Sequence, residues 1–399
     1  MSAGPDSNCG GTMTPLKIAI DATALLPKPS GVDTYILQLV RHLGQLDYDN
    51  HYKIFVNCED RKLFRGALPV NFTVVPFCLR PRLCRLAFQQ IALPVTASRW
   101  GADVIHSPSF IMPMYRGRPR HVVTVHDMTS FSLPGHHRWL RRSTLYRHAV
   151  LQSINRCDAI LAPSDATRQA VQEIIPDVAP RKIHVTPLGV GTQFHPYPSE
   201  DVEAAKTRLQ LPASYILYVG TIEPRKNLMR LAEAYQQLVA SRGSGEHLVL
   251  AGQLGWGYQE LLTRLQTPQL RGRVHLPGYV AQSDLPYVYA GARLFVYPSI
   301  MEGFGLPPLE AMACGVPTVS SLSSSLVENL EGAAELIHPE DIHSLIEAMR
   351  RLLQDNSLRA KRRQLGLERA AQFSWRETAR RTLDCYRAVG SGLISERRT

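Results

Sequence analysis

The stretch SIMEGFGLPPLEAMACGVPTVSS, residues 299–321, sets two acids, Glu302 and Glu310, around a loop rich in Gly and Pro. The run LFVYPS that leads into it is typical of a buried strand. Pro307 or Pro308 suits the first turn of a helix, because the N–H that proline lacks would have no helical partner there. The sequence therefore predicts a strand, a loop with Glu302, and a helix with Glu310 in its first turn.

The two acids suggest a binding site for a polyhydroxylated ligand. Gly303 and Gly305 allow backbone N–H groups to approach a ligand closely, and a helix N-terminus favours an anion. Carboxylates only accept hydrogen bonds, so a pair of them suits a ligand with several hydroxyl groups. In the simpler interpretation, Glu310 complements the helix dipole and Glu302 is solvated. Two acids that frame this loop after a buried strand favour the binding site.

The segment GTIEPRKN, residues 220–227, carries an adjacent cation pair, Arg225 and Lys226, at the predicted start of a helix. Neighbouring cations are unfavourable at a helix N-terminus unless an anion lies there too. A diphosphate would satisfy both, because Arg offers a fork of donors and Lys a point charge. Taken alone, a solvated surface pair is the better interpretation.

Short runs rich in Val, Ile and Leu alternate with helical stretches along the whole chain, which predicts parallel sheets with helical crossovers. The predicted strands are 17–21, 53–57, 72–77, 103–107, 121–127, 159–164, 182–189, 215–221, 247–252, 274–279, 294–299 and 317–321. Between the seventh and eighth lies VGTQFHPYPSED, which is typical of a linker. We therefore predict an α/β protein with two doubly wound parallel-sheet (Rossmann-like) domains facing across a cleft. Ligands of such sheets bind beyond the carboxyl ends of the strands.

Two further candidates lie in the first half of the chain. Gly31 falls in a loop between a strand and a helix, but a single glycine is a weak phosphate signal. His126 and Asp127 end the strand HVVTVHD at the sheet edge where a cleft residue would lie. A neutral His126 suits a hydrogen bond either to a sugar hydroxyl or to a backbone carbonyl, and a structural histidine is equally consistent with the sequence.

Composition indicates a soluble globular protein in two domains: 399 residues, 44% hydrophobic and 20% charged. No apolar run is long enough to cross a bilayer. The N-terminus lacks the basic and apolar stretches of a signal peptide, so a short disordered lead-in is expected. Seven cysteines are scattered without zinc-ligand spacing, which favours reduced cytosolic thiols.

The net charge of +11 is concentrated in residues 80–147, which hold eleven Arg and only two acids. Basic residues interleaved with Leu, Phe and Trp suit an anionic lipid surface, nucleic acid or an anionic substrate. A solvated basic face without any partner is an equally good interpretation. No aromatic signature of an RNA-binding module supports nucleic acid.

With these motifs the chain resembles the retaining glycosyltransferases of family GT4, which have the two-domain GT-B fold. The resemblance runs from about Lys17 to Tyr386, and its most specific part is the Glu-x7-Glu motif of Glu302 and Glu310. GTIEPRKN and VHD are supporting matches. Their spelling is similar to the mannosyltransferase-like branch that builds bacterial surface polysaccharides.

The resemblance implies roles at the reacting end of a nucleotide-sugar donor. Arg225 and Lys226 would hold the diphosphate, and Gly31 would approach it from the opposite domain. Glu302 would accept a hydrogen bond from a donor sugar hydroxyl. His126 would lie near the reacting sugar.

The resemblance also implies how the rest of the donor and the acceptor bind. Glu310 would bind the ribose hydroxyls, and Tyr279 and Val280 would border the base. The remaining donor contacts would come from backbone amides around Gly303, Phe304, Gly305 and Leu306. Residues 1–190, with a C-terminal helix 383–399 packed back on them, would bind the acceptor, and residues 191–382 would bind the nucleotide sugar.

One loop departs from the pattern of many relatives, T-G-I-G-R-Y, since here it is Ser30-Gly31-Val32-Asp33-Thr34-Tyr35. An acid replaces the second glycine and the Arg is missing. Asp33 would repel a diphosphate, so its side chain is expected to point elsewhere, toward the acceptor.

The expected function is a retaining hexose transfer, from GDP-mannose to a glycan or lipid-linked saccharide in surface polysaccharide synthesis, at the cytoplasmic face of the membrane. It needs no cofactor or metal if Arg225, Lys226 and helix-end amides neutralise the leaving diphosphate. UDP-glucose or UDP-N-acetylglucosamine are alternative donors. A nucleotide-sugar epimerase and a non-catalytic sugar-nucleotide-binding protein are the alternatives of other classes.

Overall fold

The strands form two separate parallel sheets. The computed structural model describes residues 14–27, 30–66, 68–78, 82–133, 135, 144–242 and 245–392. Within them the strands are β1 Lys17–Asp21, β2 His51–Asn57, β3 Phe72–Phe77, β4 Val104–Ser107, β5 Arg120–Thr124, β6 Ala159–Ala162, β7 Ile183–Val185, β8 Tyr215–Val219, β9 His247–Ala251, β10 Val274–Gly278, β11 Leu294–Tyr297, β12 Thr318–Ser321 and β13 Glu335–Ile337.

Helices connect the strands as crossovers. They are α1 Gly31–Leu46, α2 Arg82–Ala87, α3 Leu93–Trp100, α4 Thr129–Ser132, α5 Thr144–Arg156, α6 Asp165–Ile174, α7 Ser199–Arg208, α8 Leu228–Arg242, α9 Gln259–Leu265, α10 Leu285–Ala290, α11 Leu306–Ala313, α12 Ser324–Leu330, α13 Ile342–Gln354, α14 Asn356–Ala370 and α15 Trp375–Gly390. Short 3₁₀ turns cover Cys58–Phe64, Pro180–Lys182 and Pro224–Lys226, and a π turn covers Phe88–Ala92. None of the described helices has the length and apolar character needed to span a bilayer.

The predicted fold class is confirmed. Each of the twelve predicted strands overlaps an observed one, and their pairing is parallel throughout both sheets. The sequence missed β13, because a three-residue ELI segment is too short to give a periodic signal. It also extended several strands too far; HVVTVHD was predicted to reach residue 127, but β5 ends at Thr124. Residues 1–13, the expected lead-in, lie outside the described residues.

The strand orders place the ligand-binding edge of each sheet. The first sheet has the order β3-β2-β1-β4-β5-β6-β7 and the second β10-β9-β8-β11-β12-β13. The order reverses direction between β1 and β4 and between β8 and β11, and a crevice opens beyond the carboxyl ends of the strands at such a point. The central strands are buried on both faces, which is why their sequences are almost continuously apolar.

The chain passes between the domains twice, and the two passages lie side by side. The N–H of Val190 donates to the carbonyl of Phe373 at 3.1 Å, just before α15. Gly189 fits this crossing because a Cβ there would lie 2.0 Å from the backbone nitrogen of Trp375. Helix α15 then packs against α1 of the first domain. Residues 393–399 of the predicted last helix lie outside the described residues.

A buried chain of polar groups fixes α15 to the first sheet. The hydroxyl of Tyr386 lies 2.6 Å from Nδ1 of His106, whose Nε2 lies 2.8 Å from Oγ1 of Thr124. The Thr124 hydroxyl is in turn 2.9 Å from the Tyr35 hydroxyl. Burial lowers the pKa of His106 to about 3, so the ring is neutral and has one donor and one acceptor nitrogen. Each of these four side chains therefore has a hydrogen-bond partner in the dry interior.

We expect Tyr386→Phe to lower the free energy of unfolding by about 1–3 kcal/mol, because Nδ1 of His106 would lose its partner without gaining water. Urea unfolding at pH 7 measures the loss. Tyr48→Phe is the matched control, since Tyr48 is 68% exposed and should change stability by less than about 0.5 kcal/mol. Equal losses of stability for the two substitutions would show that the buried hydrogen bonds do not hold α15.

Candidate active site

A cavity of about 400 Å³ lies between the carboxyl edges of the two sheets. Its walls come from the segments that follow β1, β5, β6 and β7 in the first domain and β8, β9, β10 and β11 in the second. The residues that the sequence nominated all line it: Gly31, His126, Arg225, Lys226, Tyr279, Val280, Glu302, Gly303, Phe304, Gly305, Leu306 and Glu310. The fold therefore brings together groups that are up to 279 positions apart in the chain.

One carboxylate joins the cation pair at the centre of the cavity. Glu302 lies 2.9 Å from Nη1 of Arg225 and 2.5 Å from Nζ of Lys226. A second acid, Glu223, accepts a hydrogen bond from Nη2 of Arg225 at 2.9 Å. The Lys226 ammonium also donates to the hydroxyl of Tyr297 at 2.8 Å. Both cations thus have buried partners within the protein.

The prediction that these cations begin a helix was wrong. Arg225 and Lys226 lie in a separate 3₁₀ turn, and α8 begins only at Leu228, after Asn227 with a left-handed φ of 59°. The compensating anion is the buried carboxylate of Glu302. Arg225 further donates from Nη1 to the carbonyl of Met301 at 2.8 Å, which ties the turn to the loop after β11.

Burial and charge act against each other in this cluster. Burial would raise the pKa of Glu302, but Arg225 and Lys226 outweigh it and lower that pKa to about 2. Burial alone would lower the pKa of Arg225. Nearby carboxylates, above all that of Glu302, outweigh this effect and hold the pKa above its ordinary value. Burial and the charge of Arg225 lower the pKa of Lys226. Glu302 is therefore ionised at every physiological pH.

Glu310 has a different environment from Glu302. Helix α11 begins at Leu306, after Gly305 in a left-handed conformation with φ 90°, so Glu310 is its fifth residue and not part of the first turn as predicted. Its Oε2 accepts a hydrogen bond from the Tyr289 hydroxyl at 2.8 Å. Burial raises the pKa of Glu310 to about 7, because that hydrogen bond only partly compensates for lost hydration.

His126 forms the backbone hydrogen bond that was one of its two predicted alternatives. Its Nε2 donates to the carbonyl of Pro108 at 2.8 Å, and the ring meets Tyr35 edge-on at 4.9 Å between centroids. Burial lowers its pKa, so the ring is neutral. With the proton on Nε2, Nδ1 is the acceptor nitrogen of the ring.

Asp33 does not line the cavity, as predicted, and its side chain is bound within its own loop; its orientation toward an acceptor stays a prediction. Its carboxylate accepts hydrogen bonds from the N–H of Leu26 at 2.7 Å and from the N–H and hydroxyl of Ser30 at 2.6 and 2.5 Å. It therefore fixes the loop that carries Gly31. Beyond Gly31 nothing lies within 4 Å of a hypothetical Cβ, so the glycine leaves open space on this side of the cavity.

The two domains touch at the loop that holds Glu302. A Cβ on Gly303 would lie 1.8 Å from the carbonyl oxygen of His126, so only glycine fits at this point. The carbonyl of Gly303 accepts hydrogen bonds from the hydroxyls of Ser164 at 2.7 Å and Thr167 at 3.1 Å, at the start of α6. The sugar-binding loop predicted in the second domain is thereby fixed to the first.

Glu328 completes this contact, which we call the interdomain clasp, formed by Ser164, Asp165, Ala166, Gly303 and Glu328. The Glu328 carboxylate accepts hydrogen bonds from the N–H groups of Asp165 at 3.0 Å and Ala166 at 3.3 Å. These are the first N–H groups of α6, which have no partner within the helix and favour an anion.

Two family models match most of the chain. Residues 29–194 match the family described as Glycosyltransferase Family 4, and residues 199–369 match the family described as Glycosyl transferases group 1. The chain is 35% identical to O-antigen chain mannosyltransferase B of Escherichia coli, over 72% of this chain and 74% of that protein.

The chain belongs to glycosyltransferase family 4.

Other relatives and solved structures extend the comparison. The serotype-specific mannosyltransferase WbdA of Escherichia coli is 34% identical over 57% of this chain, which spans only 28% of that protein. HepE of Anabaena, solved with UDP and glucose, has a TM-score of 0.74 at 19% identity, over 94% of this chain and all of that one. Sucrose-phosphate synthase from Thermosynechococcus elongatus has a TM-score of 0.77 at 21% identity, over the same shares. These two structures share the GT-B fold.

The family identifies this glycosyltransferase as a transferase and not as the epimerase or the non-catalytic binding protein considered as alternatives. Sequence reasoning missed several neighbours of the nominated residues. Glu223 was quoted within GTIEPRKN but given no role, Tyr297 appeared only within the strand LFVYPS, and Tyr289 was not singled out. Asp127, which lines the cavity beside His126, was noted without a role. The clasp residue Glu328 has no local sequence signal.

If Glu310 accepts hydroxyl hydrogen bonds from the donor, it must be ionised. With a pKa of about 7, about a tenth of it is ionised at pH 6 and about nine-tenths at pH 8. We therefore expect the Kd of the preferred donor, measured by calorimetry, to be about tenfold higher at pH 6 than at pH 8.

Glu310→Gln is the control, because an amide does not titrate and its donor Kd should be independent of pH. The effect of pH on the free energy of unfolding is opposite to its effect on donor binding. A carboxyl whose folded pKa is raised stabilises the fold below its unfolded pKa, and that contribution is lost as the pH rises through about 7. The variant should therefore be more stable than the wild type at pH 8. A pH-independent Kd in the wild type would contradict the ionised role of Glu310.

We expect Glu328→Ala to loosen the clasp and to widen the distribution of interdomain distances, because the N–H groups of Asp165 and Ala166 would lose their anion. Small-angle X-ray scattering should report a larger radius of gyration. Glu331→Ala, at the exposed end of α12, is the matched control and should leave the scattering unchanged. Identical curves for both variants would mean that the clasp does not control closure.

Proposed function

We propose that this glycosyltransferase transfers mannose from GDP-mannose, with retention of the anomeric configuration, to a glycan or lipid-linked saccharide in surface polysaccharide synthesis. The observation that carries the proposal is the presence, in one cleft, of the cation pair Arg225 and Lys226 beside the acids Glu302 and Glu310. The choice of mannose and of polysaccharide is supported by the 35% identical relative, whose name specifies an O-antigen chain and mannosyl transfer.

The donor would extend across the cavity from a polyphosphate end to a ribose end. Arg225 and Lys226 would hold the diphosphate, with Gly31 leaving room on the opposite wall. The bound phosphate would share with Glu302 the compensation of the two positive charges. The Glu302 carboxylate, which remains ionised, would then accept a hydrogen bond from a sugar hydroxyl.

The other nominated residues would fix the remaining parts of the donor. Glu310 would accept hydrogen bonds from the ribose hydroxyls, next to Tyr289. The base would lie beside Tyr279 and Val280, which follow β10 at the same edge of the sheet. The amides at the start of α11 and in its preceding loop would complete the contacts, as predicted for Gly303, Phe304, Gly305 and Leu306.

The chemistry requires the bond between the sugar and the diphosphate to break while charge accumulates on the leaving oxygens. Arg225, Lys226 and helix-end amides would neutralise that charge without a metal. Glu302 is held between both cations, which makes its carboxylate a poor nucleophile. We therefore favour a front-face transfer in which the leaving phosphate takes the proton of the acceptor hydroxyl, with neutral His126 beside the sugar.

The choice of donor is tested by thermal shift with GDP-mannose, UDP-glucose and UDP-N-acetylglucosamine. We expect GDP-mannose to stabilise the protein most, by about 2.7 kcal/mol at a hundred times its Kd. Glu310→Gln should reduce the shift. A larger shift with a uridine donor would overturn GDP-mannose.

Transfer itself is tested with labelled donor and isolated bacterial membranes as the source of acceptor. We expect the new linkage to have the anomeric configuration of the donor, as measured by NMR of the released product. An inverted product would overturn the front-face route, and a sugar covalently trapped on Glu302 would indicate double displacement instead.

We further propose that the enzyme works at the cytoplasmic membrane surface through part of the basic stretch 80–147. Within this stretch Ile91, Tyr115 and Leu145 are 67%, 66% and 83% exposed. Not all of the stretch supports this role, because Arg116 and Arg120 pair with Asp158 at 2.6 and 3.2 Å. Four further basic residues of the stretch lie outside the described residues: Arg80, Arg138, Arg141 and Arg142.

Membrane docking predicts co-sedimentation with vesicles rich in phosphatidylglycerol at low salt and release at high salt, since the charge attraction is screened. Replacing Ile91 and Leu145 by Ser should weaken the binding. Val70→Ser is the control, because Val70 is fully exposed just before the amino end of β3, away from the cleft edge. Vesicle binding that does not depend on salt concentration, or an equal loss of binding in Val70→Ser, would contradict a docking face.

A further inference from the structure

Two cysteines that are twenty positions apart in the sequence meet at the edge of the first sheet. Strands β2 and β3 are parallel neighbours, and their last paired residues are Asn57 and Phe77. Cys58 and Cys78 follow directly, and their sulfur atoms lie 2.7 Å apart. Both thiols are free and exposed. Strand pairing, and not sequence spacing, brings them together.

The backbone on both sides of this pair is held in place by buried contacts. The Asn57 side chain donates to the carbonyl of Thr23 at 3.1 Å and to the carboxylate of Asp60 at 2.9 Å. Phe77 packs on Phe88 with ring centroids 4.5 Å apart. Neighbouring strands hold paired residues at a Cα separation within the range that a disulfide requires. Rotation of the thiols therefore suffices to join them.

The other described thiols differ from this pair. Cys157, Cys314 and Cys385 are buried, so a small-molecule disulfide in solution cannot reach them. A protonated, buried thiol does not attack a disulfide. Cys84 is exposed but has no sulfur partner among the described residues, and Cys9 lies outside them.

We propose that Cys58 and Cys78 form a reversible redox site, which small-molecule disulfides such as oxidised glutathione convert into an intramolecular disulfide. One protein thiolate attacks the glutathione disulfide, forms a mixed disulfide and releases one glutathione thiolate. The second protein thiolate then attacks the mixed disulfide and releases the second glutathione. The protein loses two protons and two electrons, and the glutathione disulfide is reduced to two thiols.

The bond would join the turn after β2 to the segment that leads into α2. It lies at the carboxyl edge of the sheet, on the side of the cleft, but neither cysteine lines the cavity. A cross-link between these two segments restricts the unfolded chain more than the folded one. The oxidised first domain should therefore resist heat better, and donor binding should not change.

The test incubates the wild-type chain with oxidised glutathione at pH 8, blocks the remaining thiols with iodoacetamide and maps the peptides by mass spectrometry. We expect a Cys58–Cys78 cross-linked peptide, 2 Da lighter than its reduced parts. Dithiothreitol should reverse it. The oxidised protein should melt roughly 5 °C higher than the reduced protein.

Substitutions and an unfolded control separate this site from general thiol oxidation. Cys58→Ser should abolish both the cross-link and the rise in melting temperature, whereas Cys84→Ser should keep both. The same reaction in 8 M urea should give a mixture of pairings. Complete alkylation of both cysteines in the folded protein, or stable glutathione adducts on each, would overturn the proposal. An equal yield of this pair in urea would do so too.

Discussion

The site depends on one buried carboxylate. Arg225 and Lys226 are neighbours in the chain and both are largely buried, where two adjacent cations would be strongly unfavourable without an anion. Glu302 contacts both, so a buried anion compensates their charge and fixes their position. A ligand diphosphate then meets donors that are already oriented, which reduces the reorganisation that binding and catalysis would otherwise require.

The fold places this cluster through strand order. Arg225 follows β8 and Glu302 follows β11, and these strands are neighbours at the point where the order of the second sheet changes direction. In the first sheet the corresponding neighbours are β1 and β4, and the loop with Gly31 follows β1. Gly303 then touches the His126 carbonyl. Closure of the cleft and the position of the Glu302 loop are therefore linked.

The sequence predicted what depends on local pattern. Buried parallel strands have nearly continuous apolar runs, and these runs predicted twelve strands and the fold class. The nominated residues were found in the segments that follow those strands.

Details that depend on tertiary packing could not be predicted from local pattern. Glu310 was assigned to the first helical turn because Pro307 and Pro308 mark a helix start, but Gly305 allows α11 to begin at Leu306. Asp33 was expected to point away from the diphosphate, but its hydrogen bonds from the N–H groups of Leu26 and Ser30 were not predicted. The contacts of Glu328 and the Cys58–Cys78 pair depend on long-range pairing, which has no periodic signal.

The central claim is that the cation pair held by Glu302 recognises a diphosphate. The most direct measurement is calorimetric titration of the wild type and of Lys226→Ala with the diphosphate and the monophosphate of the preferred donor nucleoside. We predict that the wild type binds the diphosphate far more tightly than the monophosphate, and that the variant loses at least tenfold of this preference, which corresponds to about 1.4 kcal/mol. An unchanged preference in the variant would show that the diphosphate binds elsewhere and would contradict the account.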